Sequence, residues 1–222
     1  MKLIIIQKSV LNADYLSMLE DIRDSGADLA AFGELAVTGC NYNGLDNISF
    51  PTINMLAEQF RKFPFAVMIG CPRFENNAYF NSYIYFNDST FRIYDKINLF
   101  EPMNETIHYQ AGKTPMVFDT GAEKIGVSIC YDIRFPELYD QLTAKGADMI
   151  FIPAAFPRVR ISAWRAMLKE RAIQTGLPVI GINAVGDDGT NEFGGSSMVI
   201  DPDGHIIAQA DEIHETIIEV EL

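Results

Sequence analysis

The chain has 222 residues, of which 48% are hydrophobic and 21% charged. That supplies a substantial core within the range of one large domain and excludes a disordered chain. Lys and Arg number 17 against 30 Asp and Glu, for a net charge of −13, and without a basic cluster there is no footprint for nucleic acid. The acidity predicts a solvated surface and makes any inward-facing cation informative. Three cysteines, Cys40, Cys71 and Cys130, are an odd number without metal-ligand spacing, which argues against a disulfide framework and predicts a reducing, cytoplasmic location. The apolar run Leu3 to Ile6 is too short for a signal peptide or a membrane span, so no membrane association is expected.

In chain order, Leu3 to Gln7 predicts a buried strand. Asn12 is placed to cap a helix whose stripe is Tyr15, Met18, Leu19 and Ile22, closed by Gly26. A short strand over Asp28 to Phe32 ends just before Glu34. Pro51 to Phe63 predicts a helix and Phe65 to Gly70 a strand. Tyr79–Phe86 and Phe91–Asp95 form a hairpin around Asn87-Asp88-Ser89. Lys96 to Thr114 is a long irregular stretch, and such loops inside a domain are usually functional. Lys124 to Ile129 is an alternating strand, Glu137 to Lys145 a helix, Asp148 to Ile152 a strand. A longer helix over Ile161 to Thr175 is ended by Pro178. Pro178 to Asn183, Gly194 to Ile200, His205 to Ala210 and Ile213 to Val220 complete the strands, with an Asp201-Pro202-Asp203-Gly204 turn between two of them. Alternating helices and short buried strands predict a mixed α/β layered fold in one domain over 1–222.

Chemistry-bearing side chains recur where strands end, which is where such folds gather their sites. Cys130 follows an apolar strand and precedes Pro136-Glu137, a pair suited to opening a helix. A thiol on that turn is exposed beside free backbone N–H groups, as a nucleophile requires. Glu34 ends an earlier strand and is a candidate general base. Lys96 ends the hairpin, and an ammonium there would lower the thiol's pKa and hold an oxyanion. Glu105, in the long loop, is placed to orient the lysine. Taken singly, each has a duller alternative: a buried core cysteine, a solvated glutamate, an exposed edge lysine, ordinary loop charge. Of His108, His205 and His214, only His108 is a candidate partner for the thiol.

Together these segments resemble the nitrilase superfamily of carbon–nitrogen hydrolases over nearly the whole chain. The glutamate segment is Glu34-Leu35-Ala36-Val37-Thr38-Gly39-Cys40-Asn41-Tyr42 and the lysine segment Tyr94-Asp95-Lys96-Ile97-Asn98-Leu99-Phe100. The nucleophile segment is Gly126-Val127-Ser128-Ile129-Cys130-Tyr131-Asp132-Ile133-Arg134-Phe135-Pro136-Glu137-Leu138. Asn81-Ser82, Pro153-Ala154-Ala155-Phe156, Gly195-Ser196 and Glu105 ahead of Gly112 fit as well.

The resemblance implies a four-layer α-β-β-α sandwich, a homodimer or larger assembly, and a thioester mechanism without metal or organic cofactor. Glu34 would be general base, Cys130 nucleophile, and Lys96 with the Tyr131 backbone N–H the oxyanion site, acting on a small amide and water. Pro153 to Arg158, Trp164 and Lys169-Glu170-Arg171-Ala172-Ile173 are most similar to the omega-amidase branch, which removes ammonia from monoamides of short dicarboxylates. Such a substrate calls for a pocket cation; Arg134 and Arg158 are the candidates, with Phe156 beside them, and Arg134 is equally placed to pair with Glu137 or Asp132. The chain departs from the family at Gly33, Asn98, Ala163 and Gln174-Thr175, none of them in the catalytic set. An amidase for a carbamoyl amine or an aliphatic amide, and a non-catalytic interaction protein on the same scaffold, stand as alternatives.

Overall fold

The central strands of this chain are apolar on both faces, and the fold follows from covering both. The computed structural model describes residues 1–39, 50–88 and 90–222. Its first half comprises β1 (Lys2–Gln7), α1 (Tyr15–Asp21), β2 (Leu29–Phe32), α2 (Ile53–Phe60), β3 (Ala66–Glu75), β4 (Ala78–Phe86) and β5 (Phe91–Asp95). The short α3 (Glu105–His108) leads into β6 (Met116–Asp119), β7 (Lys124–Val127), α4 (Pro136–Ala144), β8 (Met149–Ala154), α5 (Ile161–Thr175) and β9 (Val179–Asn183). The chain continues through β10 (Val185–Asp187), β11 (Glu192–Gly194), β12 (Met198–Ile200), β13 (Ile206–Gln209) and β14 (Thr216–Glu221).

Two six-stranded sheets result, in the orders β14-β1-β2-β3-β4-β5 and β13-β12-β9-β8-β7-β6. Each has three parallel strands at its centre, β1-β2-β3 and β7-β8-β9. Parallel neighbours need crossovers, which α1, α2, α4 and α5 supply. The period of two along each strand then sorts side chains between layers. Leu3, Ile5, Leu29 and Ala31 meet Val127, Phe151, Ile180 and Ile182 in a core between the sheets. Their neighbours Ile4, Ile6, Ala30 and Phe32 face Leu19 of α1 and Leu56 and Phe60 of α2. On the far side Ile150, Ile152 and Val179 face Leu142 of α4 and Trp164 and Leu168 of α5. The layers therefore run α-β-β-α, the sandwich that the resemblance implies. Among the described residues, no helix is long and apolar enough to cross a membrane.

Several boundaries differ from the sequence expectations. Asp14, not Asn12, caps α1, its carboxylate accepting the Ser17 N–H at 2.9 Å, while Asn12 accepts the Asp14 N–H one turn earlier. Gly176, left-handed at φ +65, ends α5 ahead of Pro178. The strand expected over Gly194 to Ile200 is broken into β11 and β12 because Gly195 and Ser196 both adopt positive φ, 51 and 56. β6 follows the long loop as an unanticipated edge strand paired with β7. Cys40, Asn41, Tyr42 and Ser89 lie outside the described residues.

One close approach bears directly on the strand end that carries Glu34. A Cβ built on Gly70 of β3 would lie 2.3 Å from the Leu35 backbone nitrogen and 2.7 Å from the Gly33 carbonyl oxygen. Both are main-chain atoms of a tight turn, so neither yields as a side-chain tip would. Gly70→Ala is expected to destabilise by about 1–3 kcal/mol, the range for overpacking, and urea denaturation checks it. An unchanged midpoint would show that the turn has room to give.

Candidate active site

Four strand or helix ends deliver a buried charge cluster. Glu34 lies just beyond β2, in a turn where Leu35 takes φ +49 and the Gly70 N–H bonds the Gly33 carbonyl at 3.2 Å. Lys96 follows β5 directly; its N–H bonds the Asn81 carbonyl at 2.9 Å and its own carbonyl accepts from Gly112 at 2.8 Å. Glu105 is the first residue of α3. The Lys96 Nζ donates to Glu34 Oε1 at 2.9 Å and to Glu105 Oε1 and Oε2 at 3.0 and 2.8 Å. Asn81 Nδ2 joins the two carboxylates from the side, at 2.7 Å to Glu34 and 2.8 Å to Glu105. The Ala155 N–H, beyond β8, reaches Glu34 Oε2 at 2.9 Å, and the Phe100 N–H reaches Glu105 Oε2 at 2.7 Å.

Lys96, Glu34 and Glu105 are all buried, with Glu105 at 0% exposure. Charges so placed persist only when paired and hydrogen-bonded. Burial alone would push the lysine's pKa down. The charges of Glu105 and Glu34, with a hydrogen bond to Glu105, oppose that and hold it well above its ordinary value. The ammonium is therefore permanent.

Cys130 leaves β7 at φ +47, a left-handed conformation that costs a non-glycine residue energy. It starts a 3-10 turn over Cys130–Arg134, and Pro136 then opens α4. Burial pushes the thiol pKa well above its usual value and the charge of Glu34 pushes it further, against the pull of Lys96 and of the Ala155 backbone. The sulfur is thus a protonated thiol close to a carboxylate and an ammonium. Tyr131 is an early residue of the turn, where a backbone N–H has no partner within the turn.

Asp132 is the feature that sequence reading passed over. It is fully buried, and its Oδ2 accepts from the Ile129 N–H at 2.9 Å and the Tyr94 hydroxyl at 2.7 Å. Its Oδ1 accepts from the Asn98 N–H and Nδ2, each at 2.8 Å. It thereby ties the cysteine turn to residues on both sides of Lys96. The signal was available: an aspartate two residues beyond a candidate nucleophile in an otherwise apolar run.

A small cavity, open to solvent, lies over the cysteine. Lys96, Cys130, Phe100, Tyr131, Arg134, Phe156 and Arg160 are among its lining residues. Arg134 and Phe156 are thus at the cavity, whereas Arg158 turns away to pair with Glu192 at 3.0 Å and to donate to the Glu212 carbonyl at 3.0 Å. Arg160, two residues further on, stands at the wall instead. Arg134 pairs with neither Glu137 nor Asp132; its guanidinium lies over the Tyr131 ring at 5.9 Å. Among the described residues no histidine, His108 included, lines the cavity. His205 and His214 are exposed beside Asp201 and Asp211, and the Asp201, Asp203 and His205 group, whose ligand atoms lie within 4.8 Å of one another, belongs to a surface turn.

Comparison with known proteins places this geometry in a family. The 2-oxoglutaramate amidase of Bacillus subtilis (strain 168) is 32% identical over 220 residues, covering 98% of this chain and 81% of that enzyme. An omega-amidase of Escherichia coli (strain B / BL21-DE3) is 38% identical over 134 residues, which span 60% of this chain and about half of that protein, 52%. The amidase from Nesterenkonia sp. AN1, solved with acrylamide joined to its active-site cysteine, superposes with a TM-score of 0.90 at 20% identity, over 100% of this chain and 93% of its own, and so shares the fold. Residues 8–222 match the carbon-nitrogen hydrolase model, and with a relative this similar across almost its full length the chain belongs to the carbon–nitrogen hydrolase family.

Proposed function

We propose that the protein hydrolyses a small-molecule amide through a cysteine thioester, with Cys130 as nucleophile, Glu34 as general base and acid, and Lys96 as oxyanion partner. The observation that carries this reading is one buried ammonium held by two carboxylates beside a thiol on a strained turn. Because the thiol pKa is raised, attack requires proton transfer to Glu34 as the sulfur–carbon bond forms. The amide oxygen gains the negative charge, and the Lys96 ammonium with the Tyr131 N–H would hold it. Glu34 then returns the proton to the departing nitrogen, and ammonia leaves an acyl-thioester. Water, deprotonated by Glu34, attacks that carbonyl; the thiol takes back its proton, and a carboxylic acid is released. Glu105 and Asn81 fix the lysine and the base throughout.

The named amidase relatives support an omega-amidase-like activity for this chain as well. We propose further that 1–222 acts as a single domain in the cytoplasm, as a homodimer or larger assembly; light scattering in solution would test the assembly.

Three outcomes are expected. Cys130→Ala abolishes ammonia release while far-UV circular dichroism stays native; turnover by that variant would remove the sulfur from the mechanism. Lys96→Gln lowers kcat by about 10²–10³ and also costs about 3–5 kcal/mol, because two buried carboxylates lose their counter-charge. A rate within tenfold of the parent would sink the oxyanion role. The Lys96 pKa is raised on folding, so its stabilisation is complete below the unfolded lysine range near about 10.4. It is lost only as pH climbs through the higher folded value. Urea titrations from pH 7 to 10 should therefore show a constant gap between the parent and Lys96→Gln.

A further inference from the structure

Glu34, the proposed base, is held at one oxygen by side chains and at the other by the main chain. Lys96 and Asn81 both reach Oε1, whereas Oε2 takes the Ala155 N–H at 2.9 Å. β8 ends at Ala154, so the Ala155–Phe156 segment beyond it needs another support. Asn183, the last residue of β9, supplies it. Its side chain is fully buried, and Oδ1 accepts from the Phe156 N–H at 2.6 Å and the Ala184 N–H at 2.9 Å. Nδ2 donates to the Phe156 carbonyl at 3.3 Å and to the Gly195 carbonyl at 2.7 Å. One side-chain amide thus grips the Phe156 main chain at both its N–H and its carbonyl. The Ala184 N–H also reaches the Ala154 carbonyl at 3.2 Å, the far end of the peptide unit whose N–H Glu34 receives.

The kink between β11 and β12 supports this grip from behind. Gly195 and Ser196 both take positive φ, a conformation that costs energy at the serine. It turns the Gly195 carbonyl to Asn183 and sends the Gly195 N–H to the Ala184 carbonyl at 2.9 Å. The kink is itself fastened. Ser196 Oγ accepts from Arg165 Nη2 at 2.7 Å, and the Ser196 carbonyl accepts from Trp164 Nε1 at 3.1 Å. Ser197 Oγ accepts the Asn183 N–H at 3.0 Å and donates to Gln7 Oε1 at 2.9 Å. Such strain persists only where the surroundings over-determine it, and here it delivers a carbonyl to one buried asparagine.

We propose that Asn183 is a positioning residue for amide hydrolysis: by clamping Phe156 it aims the Ala155 N–H that orients the Glu34 carboxylate for proton transfer. The inference rests on the amidase reading above and adds a residue to it. The Phe156 ring is held separately, packed on Trp164 with centroids 5.4 Å apart, so loosening the clamp acts on the base more than on the cavity wall. Glu34 serves both half-reactions, and the effect therefore falls on kcat whichever half is slower.

The test joins steady-state ammonia release from glutaramate with hydrogen exchange of assigned backbone amides read by NMR. Asn183→Ala is expected to lower kcat by about 10–10²-fold, with KM within about threefold of the parent. In that variant the Ala155 amide should exchange about 10²-fold faster, beyond any change shared with Ile180 of β9. Ser197→Ala is the control. It removes a hydroxyl from the same buried network, leaves the Phe156 grip intact, and should lower the thermal midpoint while kcat stays within about twofold. A parent-like kcat in folded Asn183→Ala, a loss confined to KM, or an equal loss in Ser197→Ala overturns the proposal. If Asn183→Ala does not fold, exchange in the parent decides. The Phe156 amide should then be as slow as that of Ile180, and exchange about 10²-fold faster through local opening refutes the clamp. The exchange measurements need no substrate, so a parent that releases no ammonia leaves them to decide on the clamp and separates its failure from that of the amidase reading.

Discussion

A single buried ammonium governs the organisation of this site. Lys96 is surrounded by Glu34, Glu105 and Asn81 with almost no access to water, and an ion in that position is tolerable only if every partner is held in place. The rest of the local structure serves that requirement. The β2 turn aims Glu34, the α3 start aims Glu105, and backbone N–H groups complete both carboxylates: that of Ala155 on the Glu34 oxygen the lysine leaves free, that of Phe100 on a Glu105 oxygen it shares with the lysine. Removing any one member would strand charge in a low-dielectric interior, so the cluster behaves as a unit. The same confinement raises the Cys130 thiol pKa. For Lys96 the same burial acts the other way and the carboxylate charges override it, so a resting thiol and an ammonium stand side by side, and the thiol assigns the carboxylate its work.

Much of this was legible in the residues, because periodicity reports which side of an element is buried. The strands at β1, β2, β8 and β9 and the helix at α5 announce themselves by apolar runs or stripes, and the strand ends located Glu34, Lys96 and Cys130 as neighbours in kind. What escaped was set by backbone geometry and by distance in space. Gly195 and Ser196 at positive φ break the stretch expected as one strand over Gly194 to Ile200, and nothing in a serine's composition declares a left-handed conformation. Asp132 looked like half of a local ion pair because only the fold brings Tyr94 and Asn98 to its oxygens.

The arginines show the same limit from another side. Arg158 and Arg160 differ by two places in sequence, and composition offers no reason to choose between them. The 3-10 turn over Arg158–Arg160 decides: it sends the first toward Glu192 and Glu212 and the second toward Phe100. Sequence gives the inventory of cations near the site; a single turn of backbone determines which one the cavity sees.

The two sheets also share a wiring diagram. In each, a strand-helix-strand-helix-strand unit of three parallel strands continues into two antiparallel ones, with a further antiparallel strand on the opposite edge. Under that correspondence β2 matches β8, so Glu34 and Ala155 occupy equivalent places just past the ends of matching strands. They are joined by a 2.9 Å hydrogen bond. The chemistry thus sits on the seam of a duplicated architecture, where the first copy gives an acid and the second answers with a bare amide. Each copy carries only part of the site: the acid and the amine belong to one, the sulfur to the other, and the cluster exists only once the halves have closed face to face.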